Sequence, residues 1–141
     1  KLVRFDFKER CWLRANIHSL SPVRVQTMRM LGMQPPRSLS NTAHGLASAG
    51  LQYRGPWVEV WDNLLGHAMD KTSKFEAQNL ANLVWASATA GCNASELFDR
   101  IAIDVIPKLS EHSPQGIANV AWAYASSGHD APELFAALAK E

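Results

Sequence analysis

A chain of 141 residues, 47% apolar and with a formal net charge of +1, is long enough to bury a core and reads as one domain. No run approaches the ~18 apolar residues of a membrane span, and two cysteines, Cys11 and Cys92, make no disulfide framework and read as reduced thiols. The small total conceals an asymmetry. Residues 1–37 carry eight Lys or Arg against Asp6 and Glu9, a net +6, whereas residues 38–141 carry six basic against eleven acidic side chains, a net −5. A partner with a phosphate backbone is drawn to the first quarter of the chain and mildly repelled by the rest.

Residues 1–7 alternate, with Val3, Phe5 and Phe7 on one side and Arg4 and Asp6 on the other, which is the period of an extended arm. The opening KLVRFDFKER lacks the apolar core of a secretion signal and reads as a soluble segment. With no initiator Met, either a removed targeting segment or further protein can precede Lys1. From Lys8 to about Ile17 a helical pattern takes over, with Arg10, Arg14 and His18 recurring at i, i+4. That cationic face admits two readings: a solvated helix surface, or a contact to phosphate or to an acidic protein. Residues 20–33 can be laid on residues 98–111, so that Leu20 meets Phe98 and Leu31 meets Leu109, and they read as a half-repeat.

The strongest signal is internal repetition. PRSLSNTAHGLASAG (36–50), AQNLANLVWASATAG (77–91) and PQGIANVAWAYASSG (114–128) align without a gap, with Asn41, Asn82 and Asn119 coincident at spacings of 41 and 37 residues. Self-similarity at such a period marks an array of units that bury their apolar faces against their neighbours. The spacing predicts an all-α fold of about three two-helix repeats, near 36–75, 76–112 and 113–141. These follow a basic arm and short helix at 1–19, with the helical-repeat domain spanning 20–141. Inner helices are expected near 36–49, 76–90 and 114–127, and outer helices near 20–33, 56–71, 95–110 and 131–141. Pro36 suits a first helical turn, Gly50 supplies a left-handed ending, and Pro107 should bend or shorten its helix. Asn93 with Glu96, Asp130 with Glu133, and Ser73 with Glu76 have the spacing of N-terminal capping pairs.

The inner helices are apolar or small nearly all the way round, so they are expected to be covered on more than one face. Trp85 and Trp122 read as core fillers, with His44 in their place in the first copy. Asn41, Asn82 and Asn119 have two readings: a ladder of amides satisfied internally as part of the repeat core, or groups that bond nucleobases. The helix starts, Arg37 and Ser38, Gln78 and Asn79, Gln115 and Gly116, lie nearer an open surface and are the better contact candidates.

No nucleophile, base and orienting acid fall at motif spacing, and no Gly-rich phosphate loop, H-E-x-x-H or paired C-x-x-C is present. The sequence therefore reads as non-enzymatic, with no cofactor and no small-molecule substrate. Cys92 and His129 occupy equivalent positions, but two ligands do not make a metal site.

The pattern P-Q-x-L/I-A-N-x-x-W-A-x-A-x-x-G followed by E-L-F is carried here by Gln115, Ile117, Asn119, Trp122, Ala123, Ala125 and Gly128. Gln78, Leu80, Asn82, Trp85, Ala86, Ala88 and Gly91 repeat it. It resembles the octotricopeptide repeat and its relative the heptatricopeptide repeat, organellar α-solenoid families, over residues 34–141. The first copy departs at Arg37 and His44, and His112 stands where the family favours Phe. The resemblance implies an RNA-binding module of a chloroplast or mitochondrial ribonucleoprotein, binding organellar mRNA or rRNA. Arg10, Arg14, Arg24, Arg29, Arg37, Gln78, Asn79 and Gln115 are then the expected contacts. The acidity and shortness of the repeat region suit an alternative, a protein scaffold docked as an accessory subunit on a photosystem, respiratory complex or ATP synthase. Val3, Phe5 and Phe7 would then be its anchor.

Overall fold

The computed structural model describes residues 6–140. Val3 and Phe5, and with them most of the expected arm, lie outside the described residues. Among the described residues there are eight α-helices, four short 3-10 segments and no strand. The helices are α1 (Phe7–Ala15), α2 (Ser21–Leu31), α3 (Pro36–Ser48), α4 (Val58–Met69), α5 (Ala77–Ala90), α6 (Ser95–Val105), α7 (Pro114–Ser127) and α8 (Pro132–Leu138). None of them is long and apolar enough to cross a membrane.

Proline and glycine punctuate the chain as the sequence leads one to expect. Pro36 and Pro114 open α3 and α7, where a missing N–H costs nothing. Gly50, Gly91 and Gly128 close the three inner helices at φ 76°, 75° and 67°, a conformation that a Cβ would strain. Pro107 ends the α-helical part of α6, and the chain continues as a 3-10 segment over Ile106–Glu111.

Capping follows other residues than those the spacing suggests. Asn93 and Asp130 do not cap α6 and α8, whose N-cap positions are Ala94 and Ala131, without a side-chain bond. Both alanines tuck against the core, so a small apolar residue at the corner outweighs a polar cap. Ser73 does not cap α5 either. It sits in the 3-10 segment Thr72–Lys74, and buried Phe75 anchors the turn ahead of Glu76. A true capping box starts α1 instead: Asp6 Oδ1 accepts from the Glu9 N–H and Glu9 Oε2 from the Asp6 N–H, both at 2.8 Å. Phe7 therefore begins a helix rather than ending an extended arm.

Packing forms two rows. α3 packs on α5 and α5 on α7; on the other side α2 contacts α4, α4 contacts α6 and α6 contacts α8. Contacts α3–α4, α5–α6 and α7–α8 join the rows. Between them lies the core, built from Leu39, Leu80, Leu83, Val84 and Val120 against Trp61, Phe75, Phe98 and Ile101. Two of its aromatic side chains have their polar edges bonded, Trp61 Nε1 donating to the Leu51 carbonyl at 2.8 Å and the Tyr124 hydroxyl to the Phe98 carbonyl at 2.7 Å, whereas the buried Trp57 Nε1 makes no hydrogen bond among the described residues. Burial, with the nearby Asp99 carboxylate, raises the Tyr124 hydroxyl well above its ordinary pKa, so it stays a donor.

Two lysines tie successive helix pairs together. Lys71 Nζ donates to the Gln34 carbonyl at 2.9 Å, and Lys108 Nζ donates to the Phe75 carbonyl at 2.7 Å. Both the donors and the acceptors are equivalent repeat positions, so the same backward-reaching bond is made twice.

Trp122 corrects the core assignment. It is 48% exposed, since among the described residues α5 is the inner helix that packs on α7, whereas Trp85 at the equivalent position of α5 is half-buried against the core. α1 holds no buried residue and attaches through partly buried Leu13 and the turn residues Ile17 and Leu20.

Candidate nucleic-acid interface

A groove runs across the three inner helices, and equivalent residues line it in rows. The first row is Arg37, Gln78 and Gln115, each the second residue of its helix. Next comes Asn41, Asn82 and Asn119, then His44 and Trp85, then Ser48 and Thr89. On α3 and α5 these positions fall at i, i+4, i+7 and i+11, and on α7 at i and i+4, a single helical face in each case, so the repeat itself dictates the groove. Asn79 and Ala47 complete its wall, and Arg10 reaches it from α1.

The asparagines are neither a buried ladder nor equally open. Asn82 is buried, Asn119 half-buried and Asn41 exposed. Among the described residues no bond joins one asparagine amide to another; the bond made is within α7, where Gln115 Nε2 donates to Asn119 Oδ1 at 2.9 Å. Asn79 has its side chain against the groove while its carbonyl accepts from the buried Ser40 hydroxyl at 3.0 Å, which locks α3 to α5. The Trp85 ring stacks on the His44 ring, centroids 4.9 Å apart and planes 27° apart, and the Ser48 hydroxyl lies 3.3 Å from His44 Nδ1. The stacked pair lines the polar groove, and aromatic rings in such a place can stack on planar bases.

Charge is segregated by layer. The groove lining contains Arg10 and Arg37 and no carboxylate. α3, α5 and α7 carry no Asp or Glu at all, so the acids of residues 38–140 sit on the outer helices and the connections. The net −5 that argued against a phosphate-bearing partner therefore does not describe the groove.

Of the expected contacts, the structure brings together Arg10, Arg37, Gln78, Asn79 and Gln115 and leaves three arginines elsewhere. Arg14 lies against the end of α3, its Nε 3.0 Å from where a Cβ on Gly50 would stand, a place where a cation answers the helix dipole. Arg24 pairs with Glu59 of α4 at 3.5 Å, in the outer row. Arg29 is exposed in the last turn of α2. His44, Ser48 and Thr89 are groove residues that the sequence reading passed over; the absence of acids from the repeated helices is the signal that could have pointed to them.

Other chemistry is quiet. Among the described residues no three His, Cys, Asp or Glu gather as a metal site. His129 Nε2 lies 2.8 Å from Asp99 Oδ1, while burial, and the Asp62 carboxylate after it, push the Cys92 thiol up to about 12, away from thiolate reactivity. Compared with protein-family models, curated proteins and solved structures, the chain matches none.

Proposed function

We propose that this chain is a non-enzymatic α-solenoid of two-helix units that binds single-stranded RNA along the groove of its inner helices. The observation that carries the reading is the groove lining: repeated amides, a stacked aromatic pair and two arginines, with no carboxylate among them. Phosphate contacts supply most affinity for nucleic acid, and amide and aromatic groups discriminate among unstacked bases. Arg10 and Arg37 take the phosphate role and Gln78, Asn82, Gln115 and Asn119 the base role. The resemblance to organellar repeat families extends the proposal to a chloroplast or mitochondrial ribonucleoprotein.

A titration of labelled single-stranded RNA across salt concentrations tests this. Each phosphate contact contributes roughly 0.7 to the slope of log affinity against log salt on single strands, so Arg10→Ala with Arg37→Ala should lower the slope by about 1.4. Gln78→Ala with Gln115→Ala should change base preference and leave the slope nearly intact. Binding that ignores the Arg10 and Arg37 changes and responds to Arg24→Ala with Arg29→Ala would move the site to the outer row. No salt-dependent binding at all would favour the scaffold role.

A further inference from the structure

The position filled by Phe75 ahead of α5 is filled by His112 ahead of α7. Phe75 is buried and needs no polar partner. His112 is 8% exposed, and among the described residues no hydrogen bond reaches either of its ring nitrogens. A buried polar group in that state is destabilising until something bonds it. Nδ1 lies 3.1 Å from where a Cβ on Gly116 would stand, and Ser113 Oγ lies 3.5 Å from the same point. Both border a cradle at the first turn of α7, a helix of 14 residues. The cradle exists because Gly116 has no side chain where the equivalent position of α5 holds Asn79, although glycine weakens a helix.

The electrostatics of this turn suit an anion. A helix N-terminus presents N–H groups and the positive end of the helix dipole. The N-cap of α5 is Glu76, a carboxylate, whereas that of α7 is the neutral Ser113, whose Oγ accepts from the Gly116 N–H at 3.1 Å. Lys108 and Glu111, of opposite sign, both act on the His112 ring and offset each other. The next residue but one, Gln115, lines the groove, and the arginines of that lining come from α1 and α3. The α7 end of the groove therefore has amides in its lining and no cation.

We propose that the first turn of α7 is a phosphate site, in which phosphate oxygens accept from the Gly116 N–H, in place of Ser113 Oγ, and from the imidazole of His112. Ser113 is its cover. That side chain is exposed, a surface rotamer changes in picoseconds to nanoseconds, and its turning away gives the anion access to the ring. On the RNA-bound protein the phosphate is one of the strand's backbone, which extends the phosphate contacts from Arg10 and Arg37 to the α7 end of the groove. This backbone assignment rests on the RNA reading of the groove; the phosphate site itself does not.

Heteronuclear NMR of the full chain titrated with inorganic phosphate, at an ionic strength held constant with chloride, tests the proposal. The Gly116 amide and the His112 ring should shift together and saturate, with a dissociation constant on the order of 1 mM. His112→Phe, which supplies the residue found ahead of α5, and Gly116→Ala, which fills the cradle, should each weaken phosphate at least about 10-fold. Thermal melts check that both variants are folded. In the RNA titration across salt, His112→Phe should lower the slope by roughly 0.7, the share of one phosphate contact. An unaltered slope would overturn the backbone assignment and leave the site to free phosphate. Phosphate shifts at Gly116 in a chain that binds no RNA would keep the site and reject the RNA reading. No shift at Gly116, or a phosphate affinity that both substitutions leave untouched, would sink the site itself.

Discussion

α5 and α7 are near-copies in sequence and opposites in surroundings. AQNLANLVWASATA is enclosed by α3 on one side and α7 on the other, and ten of its residues are buried. PQGIANVAWAYASS has a neighbour on one side, and four are buried. Ala81 is buried and Ala118 exposed; Asn82 is buried and Asn119 half-buried. A repeat motif encodes what a helix is able to pack against, and its place in the row decides how much of that capacity is used. The energetic weight of a position belongs to the number of neighbours, not to the residue.

That comparison breaks most sharply at Leu80 and Ile117. Leu80→Ala should cost about 2–5 kcal/mol in a denaturant titration, as for a fully buried aliphatic, while Ile117→Ala, half-buried at the same repeat position, should cost about 1–2 kcal/mol. Equal losses would mean that the two helices are equally enclosed. The tryptophans sharpen the same point. Trp85→Ala should cost about 3 kcal/mol, the low end for a large aromatic, and Trp122→Ala under about 1 kcal/mol. A cost for Trp122 matching that for Trp85 would show its ring to be covered in solution.

The smallest effect concerns His112, which occupies the position held by Phe75 one unit earlier. It is largely buried with neither ring nitrogen bonded, and burial holds its pKa below the ordinary 6.5, with nearby Lys108 adding to the shift and Glu111 opposing it. The unfolded chain then binds a proton that the folded chain refuses, so stability falls as pH drops through about 6.5. His112→Phe should remove that part of the loss and leave the protein slightly more stable at every pH. Unfolding titrations of the two proteins at about pH 8 and about pH 5.5, which bracket histidine titration, check this. An identical pH dependence would show that His112 is solvated.

The helix pattern was legible because proline, glycine and the repeat itself fix element ends, and inner helices expected at 36–49, 76–90 and 114–127 run Pro36–Ser48, Ala77–Ala90 and Pro114–Ser127. The caps were not, because Asn93 and Asp130 have the right chemistry while the adjacent alanines have the right burial, and burial depends on contacts distant in sequence. In the groove, Arg37, Gln78, Asn79 and Gln115 were legible from their place at helix starts. His44 and Trp85 were not, because an aromatic residue in an apolar helix gives no sign of whether its ring fills a core or borders a cleft. Arg24 was misleading for a related reason: net charge by segment says nothing of its pairing with Glu59 in the outer row.

The two lysine bonds bear on how such a chain comes apart. When helix pairs touch only their neighbours, an array is free to lose its end units one at a time, and its unfolding broadens with each added unit. Lys71 and Lys108 each grip the backbone of the preceding pair at a carbonyl, so unravelling one pair leaves that carbonyl without its cation. Each junction thereby gains an energy of its own beyond apolar contact, and the transition narrows toward all-or-none. Neutralising either lysine would spread the melt over a wider temperature range before it lowered the midpoint appreciably, a change of cooperativity rather than of strength.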